Sequence, residues 1–445
     1  MHNRMKRLAV LLLSAAMMPC PVAMRAQTAR LKGSLNRLFS IAEAHNASLR
    51  TVRAAITEAE AGVEAAQKAK LPDVNAQLSV SYLGNARLWN RHFGESTCAP
   101  MPHYGNNFLL QAQQVVYAGG AVSAGIQLAR QNAAMQNINA ADERRRVQFL
   151  LTGLFLQLHN LQNQAKVYAA NKALAEKQIE MMRQRYAKGV SLHSDVTRYE
   201  LYLQQMELGM TSVTDQADIV RRQLLTALGT DSAAIGTLPE DAFADDAIAV
   251  GSEADWQLTA AGQHPGVQRL ALGVQMSRTE DKLERAALLP KVAIIAEDHL
   301  DGPITIEVPP IDKNLNYWFV GVGVTYNFSA LYKNRSKVRR ARLHTAWQNE
   351  SLSATRENVA DAVHAAFVSL GTARTQLDTR RKSLQLATEN YELVSRRYQN
   401  GLAIVTDLTD AANMKLDAEL QLSDARISLV YAFYNLKYAA GCVEL

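Results

Sequence analysis

Cysteine is scarce in this chain: Cys20, Cys98 and Cys442 are the whole complement of its 445 residues. They stand far apart, so neither a disulfide framework nor a metal-ligand spacing follows. Beyond the amino terminus no stretch reaches the ~18 consecutive apolar residues that a helix needs to span a bilayer. Catalytic patterns are missing too. No nucleophile elbow, phosphate loop or zinc-protease motif occurs, and the ten histidines are scattered. Gly321-Val322-Gly323 lies inside an alternating strand pattern rather than at a strand-to-helix turn. Asp298, His299 and Asp301 fall at an expected loop and lack further ligands at fixed spacing. An enzyme has nothing to stand on, and no cofactor or metal is expected. The excess of positive charge is shallow as well. Of the formal +6, Arg4, Lys6, Arg7 and Arg25 sit in an acid-free leader, so the rest of the chain carries only +2. Nucleic acid is not an expected partner.

The leader, residues 1–26, reads as a secretory signal. It has a basic start at Lys6 and Arg7, an apolar run from Leu8 to Met18 and a cleavage point at Ala26-Gln27, with Met24 a poor residue two places before the cut. Lipid attachment at Cys20 is the alternative, with Pro19 an unfavourable neighbour. An exported chain without a membrane helix is either soluble or a β-barrel.

What the chain does possess is a stretch that occurs twice. Arg185-Tyr186-Ala187-Lys188-Gly189, Ser194-Asp195-Val196 and Leu228-Gly229 return as Arg397-Tyr398-Gln399-Asn400-Gly401, Thr406-Asp407-Leu408 and Ala440-Gly441, at a constant offset of 212. Such repetition outranks other sequence signals. Gly189 and Gly401 follow long apolar-periodic runs with basic last turns, as helix ends do. Ser194 and Thr406 precede an acid and a new apolar period, as helix starts do. Each copy is therefore the tip of a helical hairpin, at 185–195 and 397–407. The helix after each tip carries a seven-residue apolar seam, from Val196 to Ala227 and from Leu408 to Ala439, broken only by Lys415. A seam of that length packs knobs into holes.

In chain order, a helix spans about 35–70 and a strict alternation follows from Val74 to Tyr82. Some nine to eleven residues alternating apolar and polar mark a membrane strand. Asn85–Asn106 reads as a loop, and Phe108–Tyr117 as a second, less regular strand. A proline-free run over about 120–187 predicts one helix of about 100 Å, returning over 194–228. Residues 230–255 form an acidic linker, expected as a belt midway along the helices. The second half repeats the plan with a helix over 256–289, strands at Val292–Asp298 and 317–328, a long helix over 331–399 and the second tip. Leu289-Pro290 matches Leu71-Pro72 at an offset of 218. Residues 27–229 and 256–445 are thus two structural repeats, with strand hairpins at 72–117 and 290–328. The expected fold is mainly α with a membrane β-barrel part.

Four strands cannot close a barrel, so the chain must pool strands with copies of itself. Two chains fill the interior with side chains; three leave room for a passage. With the Arg-Tyr-x-x-Gly tips, the Leu-Pro strand starts and Tyr326-Asn327-Phe328-Ser329 before Leu331-Tyr332-Lys333-Asn334, the mature chain resembles the TolC-type outer-membrane efflux proteins. That resemblance implies a homotrimer with a twelve-stranded barrel in outer-membrane lipid and a helical tunnel in the periplasm. It implies a passive duct serving a periplasmic adaptor and an inner-membrane efflux pump. Gly189, Val190, Leu192, Gly401 and Leu402 would form the adaptor-docking tips. Asp407 and Asp410 would ring the periplasmic mouth, and Tyr398 and Asp195 would help hold it closed. The family type member has an arginine where this chain has Ala403, so a closing salt bridge from that position is absent.

Two bland readings stand beside these. Asp407 can simply stabilise a helix start, although Asp407 and Asp410 share a face and stacked acidic rings favour cations. The whole chain can be an exported coiled-coil structural or adaptor protein that never enters a membrane. The aromatic face of 317–328 argues against that.

Overall fold

The computed structural model describes residues 28–232, 250–306 and 310–442. The expected signal and most of the acidic linker lie outside them. The elements are α1 (Thr28–His45), α2 (Ala47–Lys68), β1 (Asp73–Tyr82), β2 (Ala86–Trp89), β3 (Ser96–Ala99), β4 (Tyr104–Ala118), α3 (Ala121–Ala187), α4 (His193–Leu228), α5 (Glu253–Gln263), α6 (Pro265–Ala286), β5 (Lys291–Gly302), β6 (Leu315–Thr325), α7 (Ala330–Gln399) and α8 (Val405–Ala439). They fall into two units. One joins residues 55–137 and 270–351 and holds every strand; the other takes the remaining described residues and is helical.

In the sheet unit, β1, β4, β5 and β6 lie side by side in that order, each antiparallel to its neighbours. Side chains alternate across a sheet, and the register sorts them by polarity. Leu78, Phe108 and Leu300 align on one face, as do Ile294 and Val322. Val74, Val80, Val320 and Val324 share that face and are exposed. The other face holds most of the polar side chains, with Leu109, Ile295 and Phe319 among them. There Gln111 donates to Glu297 at 2.7 Å and Asn107 donates to Asp301. The apolar positions of β1 from Val74 to Tyr82 cover about 27 Å of strand, or roughly 20 Å of height at a tilt near 40°, close to the ~25 Å band of membrane barrels.

Several boundaries differ from expectation for local reasons. β5 continues to Gly302, so Asp298, His299 and Asp301 belong to a strand and not a loop; β4 and β6 pair with it on both sides. His299 sits on the polar face, 2.9 Å from Glu297 and stacked on Tyr317 with centroids 4.7 Å apart. β4 starts at Tyr104, and a short β2–β3 hairpin occupies part of the expected loop. A register shift between Val115 and Tyr117 accounts for the uneven alternation there. β6 stops at Thr325 because the Asn327 side chain turns to accept from Ser329 N at 3.1 Å, opening α7.

In the helical unit the expected helices over 35–70 and 256–289 are each divided, at Asn46 and His264, which themselves stand 218 apart. The means differ. Asn46 accepts from Leu49 N at 3.0 Å as an N-cap. His264 adopts an extended conformation before Pro265, which suits a first helical position. Each break meets the glycine that ends a return helix. A Cβ on Gly229 would collide with the His45 carbonyl, and one on Gly441 would lie 2.5 Å from His264 Cα. Asn46 Nδ2 also donates to Ala227 O at 2.7 Å. Both return-helix seams are buried or half-buried throughout. Lys415, the break in the pattern, lies 5.3 Å from the Tyr391 ring and 3.3 Å from Glu419.

Gly189 and Gly229 share a left-handed backbone, with φ of 71° and 76°, which costs any other residue about 1–2 kcal/mol. Only Gly229 also faces a backbone clash. In circular-dichroism melts, Gly229→Ala is expected to lower heat resistance distinctly more than Gly189→Ala. Equal losses would show that the contact at the α1–α2 break is dispensable.

Candidate functional site at the paired hairpin tips

The two tips close on the same backbone bonds. α3 ends with Gly189 N donating to Tyr186 O at 2.9 Å and Val190 N to Arg185 O at 3.0 Å. α7 ends with Gly401 N donating to Tyr398 O at 3.0 Å and Leu402 N to Arg397 O at 2.8 Å. These are the paired bonds of a glycine-terminated helix. The following helices start one residue before the expected hydroxyls. Their N-caps are Leu192 and Ile404, whose side chains cannot accept a hydrogen bond. The aspartate three residues on reaches back instead: Asp195 Oδ2 accepts from Leu192 N at 3.3 Å, and Asp407 Oδ2 from Ile404 N at 3.3 Å. Ser194 and Thr406 are thereby released from capping, and Thr406 Oγ1 accepts from Arg198 at 2.7 Å.

Beneath the tips lies a core drawn from all four hairpin helices. It includes Ile179 and Met182 of α3, Val196, Tyr199 and Met206 of α4, Tyr391 and Tyr398 of α7, and Val405 and Leu408 of α8. Tyr199 and Tyr391 are hydrogen-bonded inside it, and burial pushes both phenols above their usual range. Tyr398 is raised as well, first by burial; its hydrogen bond with Ser191 acts the other way. Ser191 Oγ donates in turn to Asp195 Oδ2 at 3.0 Å. Tyr398 and Asp195, expected to act together, are thus joined through a residue that was not expected.

Arg185 is the second unexpected member. Its Nη1 donates to Gln399 O at 2.8 Å and more distantly to Tyr398 O at 3.4 Å, and its guanidinium lies 5.5 Å from the Tyr398 ring centroid. One cation therefore satisfies the Gln399 carbonyl at the end of α7 and adds a longer bond to Tyr398 O, which already accepts from Gly401 N. With Arg198 on Thr406, the first hairpin grips the second at two points without using position 403.

The expected docking residues Val190, Leu192 and Leu402 are 66%, 69% and 71% exposed, and Ile404, the counterpart of Leu192 at the 212 offset, is 64% exposed. Gly189 and Gly401 make the turns between them. Asp407 and Asp410 are both exposed. Among the described residues Asp410 has no hydrogen-bonding or ionic partner, whereas Asp407 performs the capping anticipated by the bland reading.

Long paired helices, a four-stranded sheet with one apolar face and two matched tips narrow the comparison with known proteins. The profile described as "Outer membrane efflux protein" matches residues 38–230 and 258–442, once for each half. The chain belongs to that family. It is 20% identical over 328 residues to the "Outer membrane protein TolC" of Salmonella enteritidis, covering 72% of this chain and 66% of that protein, a little under two thirds of its length. Among solved structures, the outer membrane protein VceC of Vibrio cholerae aligns with a TM-score of 0.74 at 15% identity, over 94% of this chain and 99% of its own. The CmeC outer membrane channel of Campylobacter jejuni aligns with a TM-score of 0.74 at 15% identity, over 94% and 88%. At these identities the structures speak for the fold. As an outer membrane efflux protein, the chain resides in the outer membrane.

Without Arg185 the end of α7 loses its donor. Hydrogen exchange of Arg185→Ala, followed by mass spectrometry, is expected to show faster exchange across 398–402 with protection at 408–436 unchanged. Unchanged exchange at the tip would remove Arg185 from its support.

Proposed function

We propose that this protein is the exit duct of a tripartite exporter. Three copies pool their strands into a twelve-stranded barrel, and the helical parts reach into the periplasm to meet an adaptor and an inner-membrane transporter. The observation that carries the reading is the state of the sheet edges. Among the described residues β1 and β6 each pair on one side only, and an unpaired edge in hydrocarbon leaves a row of backbone groups costing several kcal/mol each. Strand directions alternate from β1 to β6, so β6 of one copy can meet β1 of the next and remain antiparallel. Eight strands would close too but would be filled by side chains; twelve leave a lumen walled by the polar face.

The tips are the docking surface. Val190, Leu192, Leu402 and Ile404 put four exposed apolar side chains on short, glycine-set turns, a pattern suited to burial against a partner. Asp407 and Asp410, three residues apart, would form two stacked acidic rings about a three-fold axis and favour cations. Transport is passive in this chain, and the energy comes from the inner-membrane partner. A coiled-coil protein outside the membrane would have no use for the exposed valines of β1 and β6.

Purified in detergent, the protein should have the mass of a trimer by light scattering. In planar bilayers it should conduct with cation preference, and Asp407→Asn with Asp410→Asn should weaken that preference several-fold. A conducting trimer indifferent to the double change would remove the acidic rings and leave the duct. A protein that neither assembles nor conducts would overturn the reading.

A further inference from the structure

Where β6 ends, the chain turns at Asn327 directly into α7, and the first turns of that helix carry a dense charge. Lys333, Arg335, Lys337, Arg339, Arg340 and Arg342 place six cations in ten positions, with no acid between Ala330 and Asn349. All six are exposed, while Asn334, Val338 and Ala341 form the buried stripe between them. Among the described residues only Arg340 has an anionic partner, Glu284 at 3.9 Å.

Two structural explanations fail. Lys333, in the first turn of α7, opposes the helix dipole, and the other five lie beyond the dipole's reach, so the dipole does not account for them. Nor does the fold require them: α3, which leaves β4 as α7 leaves β6, holds Arg130 as the single charge between Ala121 and Ala141. The neighbourhood supplies a better reason. The apolar face of the sheet runs down to Val324, and exposed Phe328, Leu331 and Tyr332 continue it into the first turn of α7. Aromatic residues of this kind gather at the membrane–water interface. At about 1.5 Å per residue, Lys333, Arg335 and Lys337 lie within roughly 10 Å of the helix start, inside one Debye length of a charged surface.

We propose that the start of α7 is a basic collar that binds anionic phospholipid headgroups at the periplasmic boundary of the outer membrane. Clustered lysines and arginines beside a membrane segment recognise such headgroups electrostatically. The apolar side chains set the depth, and the cations select the lipid. The contact is confined to the second repeat, so in a closed trimer it would recur three times around the barrel rather than six. This inference rests on the sheet being a membrane wall.

The test is lipid retention by the full-length protein in detergent, offered equal amounts of phosphatidylglycerol and phosphatidylcholine at 0.1 M and 1 M salt. Bound lipid is counted by native mass spectrometry, and oligomer mass and bilayer conductance are recorded on the same preparation. The expected result is at least about a fivefold preference for phosphatidylglycerol, collapsing at high salt. Lys333→Gln with Arg335→Gln and Lys337→Gln should abolish the preference, whereas Arg335→Lys should keep it. No preference in the unaltered protein, one that survives 1 M salt, or one untouched by the triple change would overturn the collar. If the triple change alters ion selectivity and leaves lipid retention alone, the cations line the passage and the lipid assignment falls. Failure of lipid selectivity in a conducting trimer defeats only this inference; failure to assemble and conduct defeats the duct, and the collar with it.

Discussion

Hydrogen-bond satisfaction in hydrocarbon governs this protein more than any single contact. Water stabilises an unpaired N–H or C=O at the surface of a soluble sheet, and lipid cannot. A four-stranded sheet with an apolar face therefore brings two problems at once, a face that wants lipid and two edges that cannot tolerate it. Adding strands within the chain would solve the second; this chain has no more to add among its described residues. The alternating directions of β1, β4, β5 and β6 make the opposite edges complementary, so self-association is the economical solution. The polar face follows from the same constraint, since a barrel must put its hydrophilic side chains toward its own interior.

Repetition then supplies the scaffold, and the copies agree best where geometry is tightest. The bonds that close the two tips match at a fixed offset. The places where return-helix glycines abut the breaks at Asn46 and His264 correspond too, the glycines at an offset of 212 and the breaks at 218. A helix break exposes backbone groups, and a glycine without a Cβ is what allows another helix end to approach them closely. The means of breaking have nevertheless diverged, to an asparagine cap in one half and a proline in the other. The geometry of the junction has been kept and its chemistry has not.

How much of this could be read beforehand depended on range. The long helices, both tips and the strand pattern of β1 announce themselves through periodicity, which survives without knowledge of neighbours. The helix breaks were harder. Asn46 lies in an otherwise helical stretch, and Pro265 stands at a first position that helices accept, so neither interrupts the apolar pattern strongly. Ser194 and Thr406 read as caps because hydroxyls usually fill that role, yet Asp195 and Asp407 do the capping, reaching back three residues to Leu192 and Ile404. Ile404 was recoverable from Leu192 by the offset alone. Arg185 and Arg198 were not recoverable, because their partners lie more than 200 residues away and are carbonyls and a hydroxyl, which leave no charge pattern to detect.

In the proposed duct, that last point bears on how a mouth without an arginine at position 403 would stay shut. The first hairpin reaches the second with two cations, and both land on neutral acceptors. A hydrogen bond from a charged donor can contribute about 1.5–3 kcal/mol when desolvated and less where it is exposed. Its strength depends on short-range geometry more than on net charge across the gap, so salt weakens it less than an ion pair. The capping role of Asp407 fits the same arrangement. Accepting from Ile404 N occupies one carboxylate oxygen and fixes the direction of the side chain, but it does not remove the charge. A capping aspartate would therefore be a well-positioned member of the proposed acidic ring, in which helix stabilisation and cation selection are compatible uses of one residue. Asp410, without any partner of its own, is the position where the two roles separate.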